Sequence, residues 1–364
     1  MIRFCTFIVV FFIMTIGVFG FEYSVEKAAD LDFKFNGAGH KNVDGYWCGA
    51  DGVYSIKLEG ARYLWIFGDT LWGNIIDGKR SQCLFLNNTV GIEESGKLKF
   101  YKGVGKKSYF TLNKTDKWLW PLHGIYLNDK VYAAFVEIAR KHDIKDDPLG
   151  FSECGNYFSI VKNIQKNPIF WNREYSQIPF SYFRKDASMI WGGYILKHGE
   201  YMYIFGIKQA GPEKDLVLAR VYKKHVITDY PEWEFYSSSG WSKKLDKIVS
   251  IHKRIGSEYS ITYNKKLKKF LLIYSECYPF PSKMISIYSG KNPWGPFDGL
   301  EFQYEVDEIA PDSKHFTYSG KNHPHLQNES EIIISYIINS FVFSDLWNES
   351  TLYFPRFLRI GILK

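Results

Sequence analysis

Three acidic residues sit in contexts suited to chemistry. Asp51 lies in Gly-Ala-Asp-Gly-Val-Tyr-Ser-Ile, Glu258 in Gly-Ser-Glu-Tyr-Ser-Ile and Asp69 in Trp-Ile-Phe-Gly-Asp-Thr. Asp51 and Glu258 each precede a Tyr-Ser-Ile run, offset by two residues relative to it. Two carboxylates facing each other across a pocket are the minimum equipment for glycoside hydrolysis: one protonates the leaving oxygen, and the other activates water or attacks carbon. Their separation decides the stereochemistry, about 6.5–9.5 Å for inversion and about 5–5.5 Å for retention. A third acid such as Asp69 can keep the proton donor protonated by repulsion. His123, His325 and Glu276 are candidates for hydrogen bonds to a substrate, and Trp72, Trp120 and Trp191 for stacking on sugar rings. Each has a competing structural role. Asp69 after a glycine suits a turn cap, Asp51 between glycines does too, Glu137 can pair with a lysine, and a tryptophan more commonly fills a core.

Residues so far apart in the chain need a scaffold that brings them together. A strand, a polar turn and an aromatic strand recur at Tyr54 to Leu58 with Tyr63 to Gly68, Gly124 to Leu127 with Val131 to Val136, Tyr194 to Lys197 with Tyr201 to Gly206, and Ser260 to Tyr263 with Phe270 to Ser275. A weaker fifth copy pairs His325 and Leu326 with Glu331 to Ile338. The aromatics Phe67, Phe135, Phe205, Tyr274 and Tyr336 fall at intervals of 68, 70, 69 and 62 residues. Such regularity marks a repeat architecture built from hairpins. Third strands are expected at Cys83 to Ile92, Asn156 to Lys162, Leu216 to Lys223, Met284 to Ser289 and Phe357 to Leu363, and fourth strands at Lys97 to Tyr101, Pro168 to Asn172, Trp233 to Tyr236 and Leu300 to Tyr304. The fifth copy runs out of chain, and Leu31 to Phe35 (LDFKF) matches the pattern of Lys97 to Tyr101 (KLKFY). The expected fold is therefore all-β: a five-bladed β-propeller closed by an N-terminal strand in the last blade. In that fold the inner strands begin, and the second strands end, on one rim. Those positions hold Asp51, His123, Ser188 or Trp191, Glu258 and His325, then Asp69, Glu137, Lys208, Glu276 and Asn339.

Composition agrees. Of 364 residues, 46% are apolar and 18% aromatic, which excludes a disordered chain and favours strands. Arg3 followed by the apolar run Phe4 to Val18 and the small residues Val18 and Gly20 reads as a secretory signal over residues 1–20, leaving 21–364 as one domain outside the cytoplasm. After that cleavage no stretch can anchor the chain in a membrane. Export makes Cys48, Cys83, Cys154 and Cys277 candidates for disulfides in any of three pairings, with free buried thiols the equal alternative. The net charge of +7 comes from lysines scattered through turns, so no nucleic-acid face is expected. There is no Gly-x-Ser-x-Gly elbow, P-loop, zinc helix or calcium-ligand string, so no cofactor or metal is expected, a calcium ion in the channel being the alternative left open without a ligand string to support it.

The segments Gly49-Ala50-Asp51-Gly52, Trp65-Ile66-Phe67-Gly68-Asp69-Thr70, Ser257-Glu258-Tyr259-Ser260 and Pro293-Trp294-Gly295-Pro296-Phe297 resemble the five-bladed propeller superfamily of arabinanases, xylosidases and fructosidases. The likeness is nearest to a bacterial domain-of-unknown-function branch with a Phe-Gly-Asp-Thr strand end, which includes endo-acting D-arabinofuranosidases. The resemblance implies a glycosidase acting on furanoside-containing or related polysaccharide, with Asp51 as base and Glu258 as acid. The family's middle Asp has no clean counterpart: Asp186 lies a few residues early, His123 stands where blade two has an acid, and Asp69 is left for that role. Gly52 stands where the family has proline after the base. The rival expectation is a non-catalytic carbohydrate- or protein-binding propeller, lectin- or adhesin-like, gripping sugar through its rim aromatics.

Overall fold

Alternating strands separated by short polar turns give antiparallel hairpins in a computed structural model that describes residues 21–36, 41–42, 45–112, 114, 116–141, 150–311 and 313–363. Tyr54–Lys57 pairs with Arg62–Phe67 from Tyr54 opposite Ile66 to Lys57 opposite Tyr63. Gly60 turns the hairpin at φ +65°, where a side chain would be strained. Strand makes up 56% of the structure and helix 7%, so the all-β expectation holds.

Sheet 1 runs Tyr54–Lys57, Arg62–Phe67, Thr89–Glu94, Lys97–Tyr101 in spatial order. Sheet 2 runs Lys117–Leu127, Lys130–Arg140, Phe151–Lys162, Asn172–Gln177, and sheet 4 runs Tyr259–Asn264, Lys269–Ser275, Met284–Gly290, Gly299–Glu305. Sheet 3 carries Ala187–His198, Tyr201–Ala210, Glu213–Tyr222 and Glu234–Ser237, with the short strands Tyr182–Arg184 and Gly240–Ser242 on its edges. Sheet 5 runs His315–Asn322, Glu331–Ser340, Arg356–Ile362 and ends on the N-terminal strand Tyr23–Lys27. A side sheet not foreseen from the sequence holds Lys41–Asn42, Gly45–Ala50, Thr70–Ile76 and Lys79–Leu86.

The inner strands of sheets 1 to 5 lie against one another in chain order. Hydrogen bonds then connect sheet 5 back to sheet 1: Ser55 Oγ meets His323 Nδ1 at 2.7 Å, and Ser319 Oγ donates to the Gly52 carbonyl at 3.2 Å. The hydrophobic core lies between successive sheets, in separate clusters for sheets 1 and 2, 2 and 3, and 3 and 4. A larger cluster joins sheets 4, 5 and 1 and the side sheet. All five repeat aromatics, Phe67, Phe135, Phe205, Tyr274 and Tyr336, are buried on the second strand of their sheets.

Several expected elements differ. Leu31 to Phe35 belongs to the helix Ala29–Asn36, not to a closing strand. Leu31 and Phe35 fall four apart and share the buried face, while Phe33 is 71% exposed; a spacing of four suits both periods. Closure at the N-terminus comes instead from Tyr23–Lys27, paired with the C-terminal strand from Tyr23 opposite Ile362 to Lys27 opposite Leu358. Cys83 to Ile92 is split between the side sheet and sheet 1. Pro168–Phe170 is a 3-10 turn ahead of the true fourth strand of sheet 2, and His325 lies in the 3-10 turn Pro324–Leu326 after the inner strand of sheet 5. No disulfide links Cys48, Cys83, Cys154 and Cys277. The expected leader of residues 1–20 lies outside the described residues. Among those described, no helix is long and apolar enough to cross a membrane.

Candidate active site

Asp51 stands at the junction where the side-sheet strand Gly45–Ala50 passes into sheet 1. Its carbonyl accepts the N–H groups of Gly68 and Val53 at 2.9 and 3.0 Å, and its own N–H donates to the Asp69 carbonyl at 3.2 Å. The Gly-Ala-Asp-Gly segment is thereby locked against Phe-Gly-Asp-Thr. A Cβ at position 68 would fall 2.2 Å from Asp51 Oδ1, so glycine is the residue that admits the carboxylate. Thr70 Oγ1 donates to the Gly68 carbonyl at 2.8 Å and holds the same turn.

The three acids have different surroundings. Asp51 Oδ2 accepts the hydroxyls of Tyr318 and Tyr353 at 2.8 and 2.9 Å. Burial, then the Glu258 charge, push Asp51 up to about 7 against those hydrogen bonds. Asp69 Oδ1 accepts Trp120 Nε1 at 2.8 Å, with Asn87 Nδ2 at 3.5 Å. Burial and then the Asp51 charge hold it well above the usual carboxylate range. Both acids keep part of their surface exposed while protein encloses them on all other sides. Glu258 Oε1 instead accepts Lys321 Nζ at 2.8 Å and Ser319 Oγ at 3.0 Å. Lys321 is fully enclosed, with Nζ 4.5 Å from the Tyr54 ring centre. Burial lowers its ammonium below the usual lysine range, and the Glu258 charge opposes that shift.

These groups border a pocket of about 390 Å³, lined by Asp51, Tyr54, Trp120, Glu258, Tyr259 and Tyr318 among others. A second lobe of about 450 Å³ shares Lys214, Ser257, Glu258 and Tyr318 with the first and adds Glu276 and Phe280. Glu258 therefore stands between the lobes. Tyr259 lines the pocket, and its hydroxyl is fully buried with no hydrogen-bond partner among the described residues.

Of the residues singled out in the sequence, Asp51, Glu258 and Trp120 line the first lobe, and Asp69 stands behind Asp51 and Trp120. Glu276 lines the second lobe, near Tyr288 Oη at 3.4 Å. His123 and His325 do not reach either lobe. His123 Nδ1 accepts the Ile195 N–H at 3.1 Å and its ring stacks on Tyr194, and His325 stacks on Tyr63. Trp72 and Trp191 are core residues. Trp72 packs in the side-sheet core, and Trp191 lies against Trp233 and Phe235 with Nε1 on the Phe180 carbonyl. Glu137 is buried in an ion pair with Lys114 at 2.8 Å. Sequence reasoning missed Tyr318, Ser319, Lys321 and Tyr353. Alternation in Tyr318-Ser319-Gly320-Lys321 was the available signal, hidden because the inner strand of sheet 5 was placed on His325.

Comparison with known proteins fixes the kind of fold. A protein of Bacteroides ovatus ATCC 8483, named provisionally as a hydrolase, superposes with a TM-score of 0.73 at 17% identity, over 93% of this chain and 90% of that one. The chain shares its mostly-β fold. Looser likenesses are to the α-L-arabinofuranosidase PaAbf62A of Podospora anserina (TM-score 0.49, 10% identity, 89% and 93% covered) and to an exo-β-1,3-galactanase of Phanerochaete chrysosporium (0.47, 13%, 89% and 62%). No curated protein matches. Residues 32–361 match the family model described as a domain of unknown function, DUF5005, and the chain belongs to that family.

Proposed function

We propose that this protein is a secreted glycoside hydrolase acting on furanoside-containing or related polysaccharide, built as a five-bladed propeller of sheets 1 to 5 with the carboxylates at its axial pocket. The propeller reading is supported by inner strands that neighbour one another in chain order, and by the bonds from sheet 5 back to sheet 1. The observation that carries the function is the unequal pair of carboxylates. Asp51 is pushed up to about 7, so it still holds a proton near neutrality, while Glu258 faces the ammonium of Lys321 at 2.8 Å. One acid enclosed beside tyrosine hydroxyls and another held by an ammonium are the unlike surroundings that an acid and base assignment needs. In this reading Asp51 gives its proton to the leaving glycosidic oxygen. Glu258, as the anion, either takes a proton from the attacking water or bonds to the anomeric carbon itself. Those roles are the reverse of what the family resemblance implies. Burial and the Glu258 charge keep Asp51 protonated, and Trp120 links Asp69 to the pocket wall.

The test is hydrolysis of arabinans, xylans, fructans and aryl furanosides by the mature protein beside Asp51→Asn and Glu258→Gln. Sugar release by wild type alone is expected. No release from any substrate, or undiminished release by both variants, overturns the assignment, and glycan binding without release returns the protein to the lectin-like reading.

A further inference from the structure

Three phenylalanines gather beside the second lobe without belonging to any core. Phe280 sits on the connection between Lys269–Ser275 and Met284–Gly290, Phe316 lies on the inner strand of sheet 5, and Phe341 follows Glu331–Ser340. Their ring centres are 5.4 Å apart for Phe280 and Phe316, 5.8 Å for Phe280 and Phe341, and 4.6 Å for Phe316 and Phe341. Phe280 is 57% and Phe341 54% exposed, whereas Phe67, Phe135 and Phe205 are wholly buried. A phenyl group left in water forgoes the free energy of its burial, so three assembled at one rim mark an interaction surface.

The ridge is continuous with the candidate site. Phe280 lines the second lobe together with Glu258 and Glu276. Phe316 packs at 5.7 Å on Tyr318, whose hydroxyl holds Asp51. Phe280 is flanked by Pro279 and Pro281, whose fixed φ angles restrict the loop and hold the ring in place. Phenyl rings offer no hydrogen bond, so what they take is apolar surface, such as the C–H face of a sugar ring.

We propose that Phe280, Phe316 and Phe341 form a stacking platform for the part of a glycan chain that extends beyond the sugar at Asp51 and Glu258. The proposal rests on the carbohydrate reading of that pocket. It makes the second lobe a determinant of preference for polymers over short glycosides.

The test compares wild type with the double variant Phe280→Ser/Phe341→Ser, and with Phe343→Ser as a control. Phe343 is an exposed phenylalanine that packs on Phe85 outside the ridge. Affinity electrophoresis in arabinan and arabinoxylan gels, run on Asp51→Asn forms, reads binding without hydrolysis; kcat/KM on an aryl arabinofuranoside reads the inner site. The double variant is expected to lose about tenfold or more in polymer affinity and far less in kcat/KM on the aryl glycoside, and the control to change neither. Unchanged polymer affinity overturns the platform. So does a parallel fall on polymer and aryl glycoside, or a wild type that cleaves the aryl glycoside yet binds no polymer. A dimer that the double variant turns into a monomer in sedimentation also overturns it, making the ridge a subunit contact. Polymer binding that depends on the ridge, without hydrolysis, keeps the platform and removes the hydrolase reading.

Discussion

At the scale of single residues, the site is held by groups that would each be costly alone. Asp51 ionises at about pH 4 when unfolded and at about 7 when enclosed beside Glu258. The folded state therefore binds the extra proton between those values, and stability falls as pH rises through that window. Asp51→Asn keeps an oxygen for the tyrosine hydroxyls but cannot ionise. Its melting temperature at pH 8 is expected a few degrees above wild type, with the gain vanishing towards pH 4 in calorimetry, while turnover is lost. An equal or lower melting temperature at pH 8 would contradict the raised titration of Asp51. Glu258→Gln has the opposite consequence, because it leaves the enclosed ammonium of Lys321 without its anion. The expected cost is about 3 kcal/mol, the low end for a buried pair since the Glu258 side chain is 20% exposed. Adding Lys321→Met is expected to recover most of that loss, measured as a denaturant double-mutant cycle.

At the scale of elements, the hairpins were legible because burial repeats. An aromatic every 62 to 70 residues on the second strand leaves little freedom in where the sheets fall. Asp51, Asp69 and Glu258 were legible for a related reason: glycines at 52 and 68 and the strand start at Tyr259 mark where backbone and carboxylate must come close. The side sheet was not legible, since the pairing of Gly45–Ala50 with Thr70–Ile76 stands apart from sheet 1, whereas sheets 2, 3 and 5 carry their hairpins through a register shift, between Pro121 and Gly124, Trp191 and Tyr194, and Tyr318 and Lys321, within single strands. Trp72 was misassigned with it. Lys321 and Tyr318 were missed because their contacts with Glu258 and Asp51 span 63 and 267 residues. The N-terminal closure was expected in kind but placed on a helix. The strand that closes sheet 5 is fastened by Tyr23, whose ring packs on Phe302 at 5.7 Å and whose hydroxyl donates to Glu301 at 3.0 Å. Tyr23→Ala is expected to cost about 3 kcal/mol in denaturant melts, whereas Phe33→Ser on the exposed helix face should cost nothing measurable. Equal effects would mean that the helix, not the strand, closes the sheet.

At the scale of the whole molecule, the junction of sheets 5 and 1 depends on histidines that stay neutral. His323 exchanges hydrogen bonds with Ser55 Oγ and Ser335 Oγ at 2.7 Å each and is held well below the usual range, mainly by burial. Burial also pulls His123 and His325 down to about 3. An unfolded chain takes up these protons below about 6.5, and the folded one cannot until much lower pH, so these groups remove stability as pH falls. The acids act oppositely: Asp51 at about 7 and Asp32 at about 6 add stability as pH falls towards 4, below which both states are protonated. Asp69 belongs with these acids; the two sets oppose each other between pH 7 and 4, and beneath that the histidines and the carboxylates held low, such as Asp307, remove stability together. The melting temperature is thus expected to change little from pH 7 to about 4.5 and to drop steeply below 4. His325→Phe preserves the stack on Tyr63 and removes one titrating group, so its acid-side slope should be visibly shallower than that of wild type. Identical slopes would mean that acid unfolds the molecule elsewhere than at this junction.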